Sequence, residues 1–202
     1  DNGRVVDFKE KHNHPESTIC SMGIYILRRE LLIDLLEECN SLGKYDFVKD
    51  VIISKLNTLQ IYGYRFNGYW RNLNTINAYY RINMEMLNPE IRHQLFEENG
   101  KVYTKVKDEP PAKYNEEAEV SNSIIADGCI VEGTVSNSVL FRGVTIKKNA
   151  VVNGCIIMQG SVIDEDVKIE NSIIDKNVYI SKGINLKGMP NFPIMIEKNA
   201  KI

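Results

Sequence analysis

Three sets of aliphatic residues recur with one fixed offset between Leu140 and Leu186. Leu140, Ile146 and Val152 are followed 17 residues later by Ile157, Ile163 and Ile169, and after a further 17 by Ile174, Ile180 and Leu186. Within each set the anchors lie five or six positions apart, which is neither the 3.6 period of a helix nor the alternation of one long strand. A fixed period with one aliphatic anchor per short segment predicts a solenoid of hexapeptide-like rungs, a left-handed parallel β-helix. Its nine anchors should all point inward. The rungs match in wording as well: Asn137-Ser138-Val139-Leu140 against Asn171-Ser172-Ile173-Ile174, with Gly143, Gly160 and Asn177 at one corner. Glycine and asparagine tolerate the positive φ that a tight corner demands. A shorter coil, Asn122-Ser123-Ile124-Ile125 with Val131 and Val135, extends the array toward the N-terminus.

The first hundred residues read differently, as mixed α/β. Residues 21–27 are predicted as a strand, residues 29–38 as an amphipathic helix ended by Asn40-Ser41-Leu42-Gly43, and Asp46 to Leu56 as a second helix. Gln60 to Asn67 carries aromatic residues at alternate positions and is predicted as a strand. Asn74 or Thr75 caps a third helix running to about Leu87, and a short helix spans residues 89–98. Val102, Thr104 and Val106 then alternate with Tyr103 and Lys105 before Pro110-Pro111. That pattern fits a strand-like connector between domains, or an ordinary surface loop. The expected organisation is therefore an α/β domain over 1–100, a linker over 101–116 and the β-helix over 117–202. The α/β part starts mid-sheet and has no glycine-rich phosphate loop, so the chain reads as the C-terminal fragment of a longer protein.

Composition removes several classes of function. A formal net charge of −2 offers no basic footprint for nucleic acid and no reason to seek an anionic membrane surface. No apolar run approaches the roughly 20 residues that cross a bilayer, and no signal peptide opens the chain, so a cytoplasmic location is expected. Cys20, Cys39, Cys129 and Cys155 form no CxxC pair, which favours reduced thiols over a zinc or disulfide framework. His12 and His14 could be a metal pair, but on a polar loop they read as solvated.

Four stretches carry a resemblance. Phe8-Lys9-Glu10-Lys11, Ser21-Met22-Gly23-Ile24-Tyr25, residues 45–50 (Tyr-Asp-Phe-Val-Lys-Asp) and residues 69–75 (Tyr-Trp-Arg-Asn-Leu-Asn-Thr) occur in an order similar to the sugar-phosphate half of the bacterial ADP-glucose pyrophosphorylases, the glucose-1-phosphate adenylyltransferases. A β-helix follows in that family too, and residues 103–111 and 156–159 resemble its GlgD-type regulatory subunit. The resemblance implies a nucleotidyltransferase that joins glucose 1-phosphate and ATP, with Mg²⁺, to give ADP-glucose and pyrophosphate for glycogen synthesis. It implies glucose 1-phosphate contacts at Glu10, Lys11, Ser21, Tyr25, Asp46, Phe47 and Trp70. The chemistry suits these roles: a lysine for the phosphate, carboxylates and hydroxyls for the sugar, an aromatic face for its ring. Each residue also has an ordinary explanation, since a Glu-Lys pair is commonly solvated surface and a lone tryptophan commonly core.

Two departures weigh against catalysis. Catalytic members carry an aspartate that helps hold Mg²⁺, followed two residues later by a glycine; here Asn72 and Asn74 stand at those positions. An amide lacks the charge a hard divalent cation prefers, and a side chain at 74 is expected to crowd the backbone or forbid its φ. The resemblance's Glu-Lys-Pro wording is also broken after Lys11. The leading reading is a regulatory subunit that pairs with a catalytic homologue or with itself, inactive as this fragment and holding no metal of its own. A hexapeptide acyltransferase needs a histidine base in its coils, and residues 101–202 contain none. A plain oligomerisation module, with the unpaired ends and flat faces of a β-helix as its contact surfaces, also accounts for the solenoid, and the alternative within the enzyme class is such a module of another sugar-1-phosphate nucleotidyltransferase.

Overall fold

The 17-residue offset is one turn of a three-sided parallel β-helix. The computed structural model describes residues 3–10, 13–14, 16–98 and 100–202. They divide into two compact units, one reaching to Asn67 and one from Gly68 to Ile202.

In the second unit the first coil comprises β1 (Lys113–Tyr114), β2 (Glu119–Ser121) and β3 (Ile124–Ile125). Then come β4 (Ile130–Val131), β5 (Thr134–Ser136) and β6 (Val139–Leu140), followed by β7 (Thr145–Ile146), β8 (Val151–Asn153) and β9 (Ile156–Ile157). The fourth coil is β10 (Val162–Ile163), β11 (Lys168–Glu170) and β12 (Ser172–Ile174), and the fifth β13 (Tyr179–Ile180), β14 (Asn185–Lys187) and β15 (Ile194–Ile196). Each strand pairs in parallel with its counterparts three places away, giving three sheets of five strands. Lys113–Tyr114, assigned to the connector by sequence, is thus the first rung, paired with Ile130–Val131.

The inward anchors stack in register: Ile146 on Ile163 on Ile180, Val152 on Ile169 on Leu186, Leu140 on Ile157 on Ile174. Eight of the nine are fully buried; Leu186, on the edge strand β14 of its sheet, is only partly buried. At the corners the non-glycine residues with positive φ are Asn122, Asn137, Asn149, Asp166, Asn171, Asn177 and Asn199, the residue types that tolerate it best. Gly143, Gly160 and Asn177 form one such column, as expected. The Asn-Ser wording has a second function: buried Ser138 accepts from the Cys155 amide at 3.0 Å and donates to the Ser136 carbonyl at 2.6 Å. The shorter coil omits two residues at a corner, where Gly133 passes so close to the next coil that a Cβ would lie 2.3 Å from the Ala150 carbonyl oxygen.

One sheet is apolar on both faces. Its strands carry aliphatic pairs, and while Leu140, Ile157 and Ile174 point in, Ile156 and Ile173 are buried on the outside against Tyr80. Tyr80 belongs to α2 (Ile76–Glu85), whose Thr75 hydroxyl accepts from the Ala78 amide at 3.0 Å, one of the two caps expected. The next helix, α3 (Pro89–His93), runs on as a π-helical turn to Glu98.

The first unit holds α1 (Arg29–Ser41), three residues longer than predicted, closed by Gly43 at φ +64° with the Lys44 amide bonded to the Cys39 carbonyl. The second predicted helix is a π-helical segment, Phe47–Ile53. Leu35, Cys39 and Val51 form the small core. Both predicted strands are corrected. Among the described residues, 21–27 form no strand pairing and bend at Gly23 (φ +73°), and in 60–67 only Tyr62 forms a bridge, to Arg4. An extended segment becomes a strand only when another chain segment satisfies its amides and carbonyls; Ile26, at 98% exposure, has no such cover.

Candidate functional site

In the first unit the bend at Gly23 brings Ser21 and Tyr25 together. The Gly23 amide donates to the Ser21 hydroxyl at 3.2 Å, and the Ser21 and Tyr25 hydroxyls lie 3.5 Å apart. Tyr25 in turn meets Phe47, ring centroids 5.3 Å apart and tilted by 50°. Two hydroxyls beside an aromatic pair form a surface that can meet a sugar on both its polar and its apolar side. Asp46 is the N-cap of the π-helical segment, accepting from the Lys49 amide at 3.0 Å while its own amide donates to Asp50 at 2.9 Å. Glu10 is half-buried. Lys11 lies outside the described residues, as does His12; His14 is exposed.

In the second unit Trp70 and Asn72 line a cavity of about 710 Å³ together with Arg71, Asn74, Thr75, Arg81 and Glu85. Three of these residues define its electrostatics. Glu85 Oε2 accepts from the Tyr69 hydroxyl at 2.5 Å and from Arg71 Nε at 2.9 Å, and Arg81 Nε stands 4.0 Å from Oε1. Arg71 also donates to the Trp70 carbonyl at 3.0 Å and stacks over the Tyr69 ring at 4.6 Å. Desolvation acts against the Glu85 carboxylate, but the bonds from Tyr69 and Arg71 outweigh it and hold its pKa below the usual value. Desolvation, then the bond to Glu85, pushes the Tyr69 phenol up to about 12. The sequence reading missed Tyr69, Arg71 and Glu85; the spacing of Arg81 and Glu85, i and i+4 on a helix, was the one local signal.

These donors do not make a Mg²⁺ site. Asn72 is an exposed amide, Glu85 is already bonded to two donors, and the two guanidinium groups repel a cation. Among the described residues no three His, Cys, Asp or Glu side chains are placed to hold a metal. Nor is Asn74 strained, for it lies outside the left-handed region. The expected φ conflict at that position is absent. What the cavity offers is amides and guanidinium groups beside an indole, suited to an oxygen-rich, anionic ligand.

No helix among the described residues is long and apolar enough to cross a membrane. The family model for nucleotidyl transferases matches residues 1–89, and the model described as GlmU-like, C-terminal hexapeptide matches residues 110–188. The hexapeptide match identifies the solenoid as the left-handed kind. Among curated proteins, the glucose-1-phosphate adenylyltransferase of Thermotoga neapolitana is 41% identical over 154 residues, 74% of this chain and 36% of that protein. Those of Geobacillus stearothermophilus (40% over 151 residues, 73% and 39%) and Thermosipho africanus (38% over 153 residues, 74% and 37%) are similar. The chain spans less than two-fifths of the length of these relatives. Nucleotidyl transferase and hexapeptide segments in this order, with alignments that take in both, make the chain a homologue of the glucose-1-phosphate adenylyltransferases over the stretch it covers.

Proposed function

We propose that the chain is the C-terminal portion of a regulatory glucose-1-phosphate adenylyltransferase subunit, one that retains part of a sugar-phosphate surface but lacks metal chemistry. The parent reaction couples glucose 1-phosphate to ATP, releasing pyrophosphate and forming ADP-glucose for glycogen synthesis, with Mg²⁺ held by catalytic members. The observation that carries this reading is the cavity at Trp70, where amides stand at positions 72 and 74 and the lining carboxylate is committed to Tyr69 and Arg71. In this role the first unit offers Ser21, Tyr25 and Phe47, with Glu10, Lys11 and Asp46, as sugar-phosphate contacts, and in the second unit, taken by itself, the Trp70 segment is read as a sugar-phosphate contact. It acts on a homologous catalytic subunit, or on a second copy of itself, in the cytoplasm.

The test has two arms. The purified chain, given ATP, glucose 1-phosphate and Mg²⁺, should form no ADP-glucose, while glucose 1-phosphate should bind saturably by calorimetry. The full-length parent, co-purified with a catalytic homologue, should change that partner's kcat or KM. Turnover by the chain alone, or an unchanged partner, overturns the regulatory reading.

A further inference from the structure

α2 touches two things at once. At Tyr80 it is fastened to a β-helix corner: the phenol donates to the Gly154 carbonyl at 2.6 Å, with Asn171 Oδ1 3.3 Å away. Gly154, at φ +63°, follows Asn122 and Asn137 and precedes Asn171 in one corner column, and a Cβ there would lie 2.9 Å from Asn171 Oδ1 and 3.2 Å from the Tyr80 oxygen. Around that bond Tyr80 packs with Ile156 and Ile173, and Met84 joins the cluster. Five residues beyond Tyr80, about 140° around the helix, Glu85 holds Tyr69 and Arg71.

We propose that Glu85 is a positioning residue: it fixes the Trp70–Asn72 stretch against a helix that Tyr80 anchors to the β-helix, so that the cavity takes its shape from the solenoid. The inference rests on the reading of that stretch as sugar-phosphate-facing for its functional meaning, but its geometry stands independently. Tyr69 and Arg71 flank Trp70 in sequence, and both donate to the same Glu85 oxygen. Arg71 closes the arrangement by bonding the Trp70 carbonyl. Trp70 therefore has its neighbour on either side tied to one carboxylate. Glu85 ends α2 and belongs to none of the fifteen coil strands, so its role is expected to be separable from folding of the β-helix. Charge-assisted bonds of this kind are the stronger class, and losing them frees a segment that has no strand or helix of its own.

Trp70 is the sole tryptophan and reports on its own segment. In Glu85→Gln its emission should shift to the red, and its acrylamide quenching constant should rise about twofold as the open segment becomes populated. The unfolding temperature of the β-helix by circular dichroism should not change. Tyr69→Phe, which removes one donor and keeps the ring, should move emission the same way by less. Tyr80→Phe should loosen Trp70 although it touches neither Trp70 nor Glu85. Affinity for glucose 1-phosphate should fall about tenfold in Glu85→Gln. Unchanged emission and quenching in Glu85→Gln and Tyr69→Phe overturn the proposal. If Glu85→Gln fails to fold, the separability claim is wrong and the proposal falls with it. If the unaltered chain binds no glucose 1-phosphate while the fluorescence effects appear, the clamp stands and the functional reading fails.

Discussion

Asn72 and Gly133 are the two positions where a single side chain, or its lack, decides most. On the proposed reading Asn72 acts through its missing charge and not through the backbone two residues on, where Asn74 holds an ordinary φ. Asn72→Asp should accordingly give whatever Mg²⁺ response this segment can support, measured through Trp70 fluorescence. Adding Asn74→Gly should not tighten it. A double variant about tenfold tighter than the single would contradict this, as coupling between neighbours would then be large. Even the single variant should bind weakly, since Arg71 and Arg81 line the same cavity. Gly133 is a steric case. A Cβ there meets backbone, with the Ala150 oxygen at 2.3 Å and the Lys147 oxygen at 2.9 Å, and backbone cannot rotate away as a side chain can. Gly133→Ala should cost about 1–3 kcal/mol by overpacking, measured by denaturant unfolding. The equivalent change at Gly143 meets nothing within 4 Å and should cost only the strain of its positive φ.

Along the β-helix the rungs are not equal, and the difference is measurable. Ile163 is fully buried between Ile146 and Ile180, so Ile163→Ala should cost about 2–5 kcal/mol. Leu186→Ala, at the partly covered end, should cost clearly less. Equal losses would mean that the last coil is covered in solution. The solenoid was legible because each inward residue occupies an equivalent environment, and an environment repeated in space repeats in sequence. The outward partners Ile156 and Ile173 carried a further signal, since two adjacent aliphatics on one strand imply cover on both faces. The strands expected at 21–27 and 60–67 failed for a physical reason: alternation records a preference for extended chain, and pairing depends on what lies alongside. For the candidate site, the Ser21 and Tyr25 hydroxyls meet through the bend at Gly23, a turn that a strand pattern does not foresee. The Glu85 clamp joins residues 14 and 16 apart, a distance that only packing of α2 determines. Ladders between rungs also titrate. Tyr179, then Lys147, hydrogen-bond the Asp164 carboxylate and hold it down to about 2. A depressed carboxylate stabilises the fold fully above its unfolded value near 3.9 and loses that contribution as pH falls toward 2. Asp164→Asn should therefore flatten the dependence of Tm on pH between about 4 and 2, while leaving it unchanged near neutrality.

At the scale of the molecule, the two units differ in what holds them. The β-helix has a continuous stack of fully buried aliphatics, and its amides are satisfied from coil to coil, such as Thr145 to the Ser161 carbonyl at 3.0 Å and Val162 to the Val178 carbonyl at 2.8 Å. The first unit rests on Leu35, Cys39 and Val51 with half-buried neighbours, and it leaves Ile24, Ile26 and Tyr64 exposed. Apolar burial is the main favourable term in folding, so these inventories imply different stabilities. Coils that contact only their neighbours still unfold together when the array is short and its interfaces strong. The chain should thus melt in two steps, the first unit before the β-helix. Hydrogen exchange should match: the strand amides of the coils exchange slowly, while residues 21–27 and, outside the bridge at Tyr62, residues 60–67 exchange at nearly unprotected rates. A chain from Gly68 onward, which keeps α2 and its Tyr80 bond to Gly154, should reproduce the upper transition unaltered. A single coincident transition with uniform protection would mean that the first unit draws its stability from contacts beyond its own small core, and this account of it would have to be abandoned.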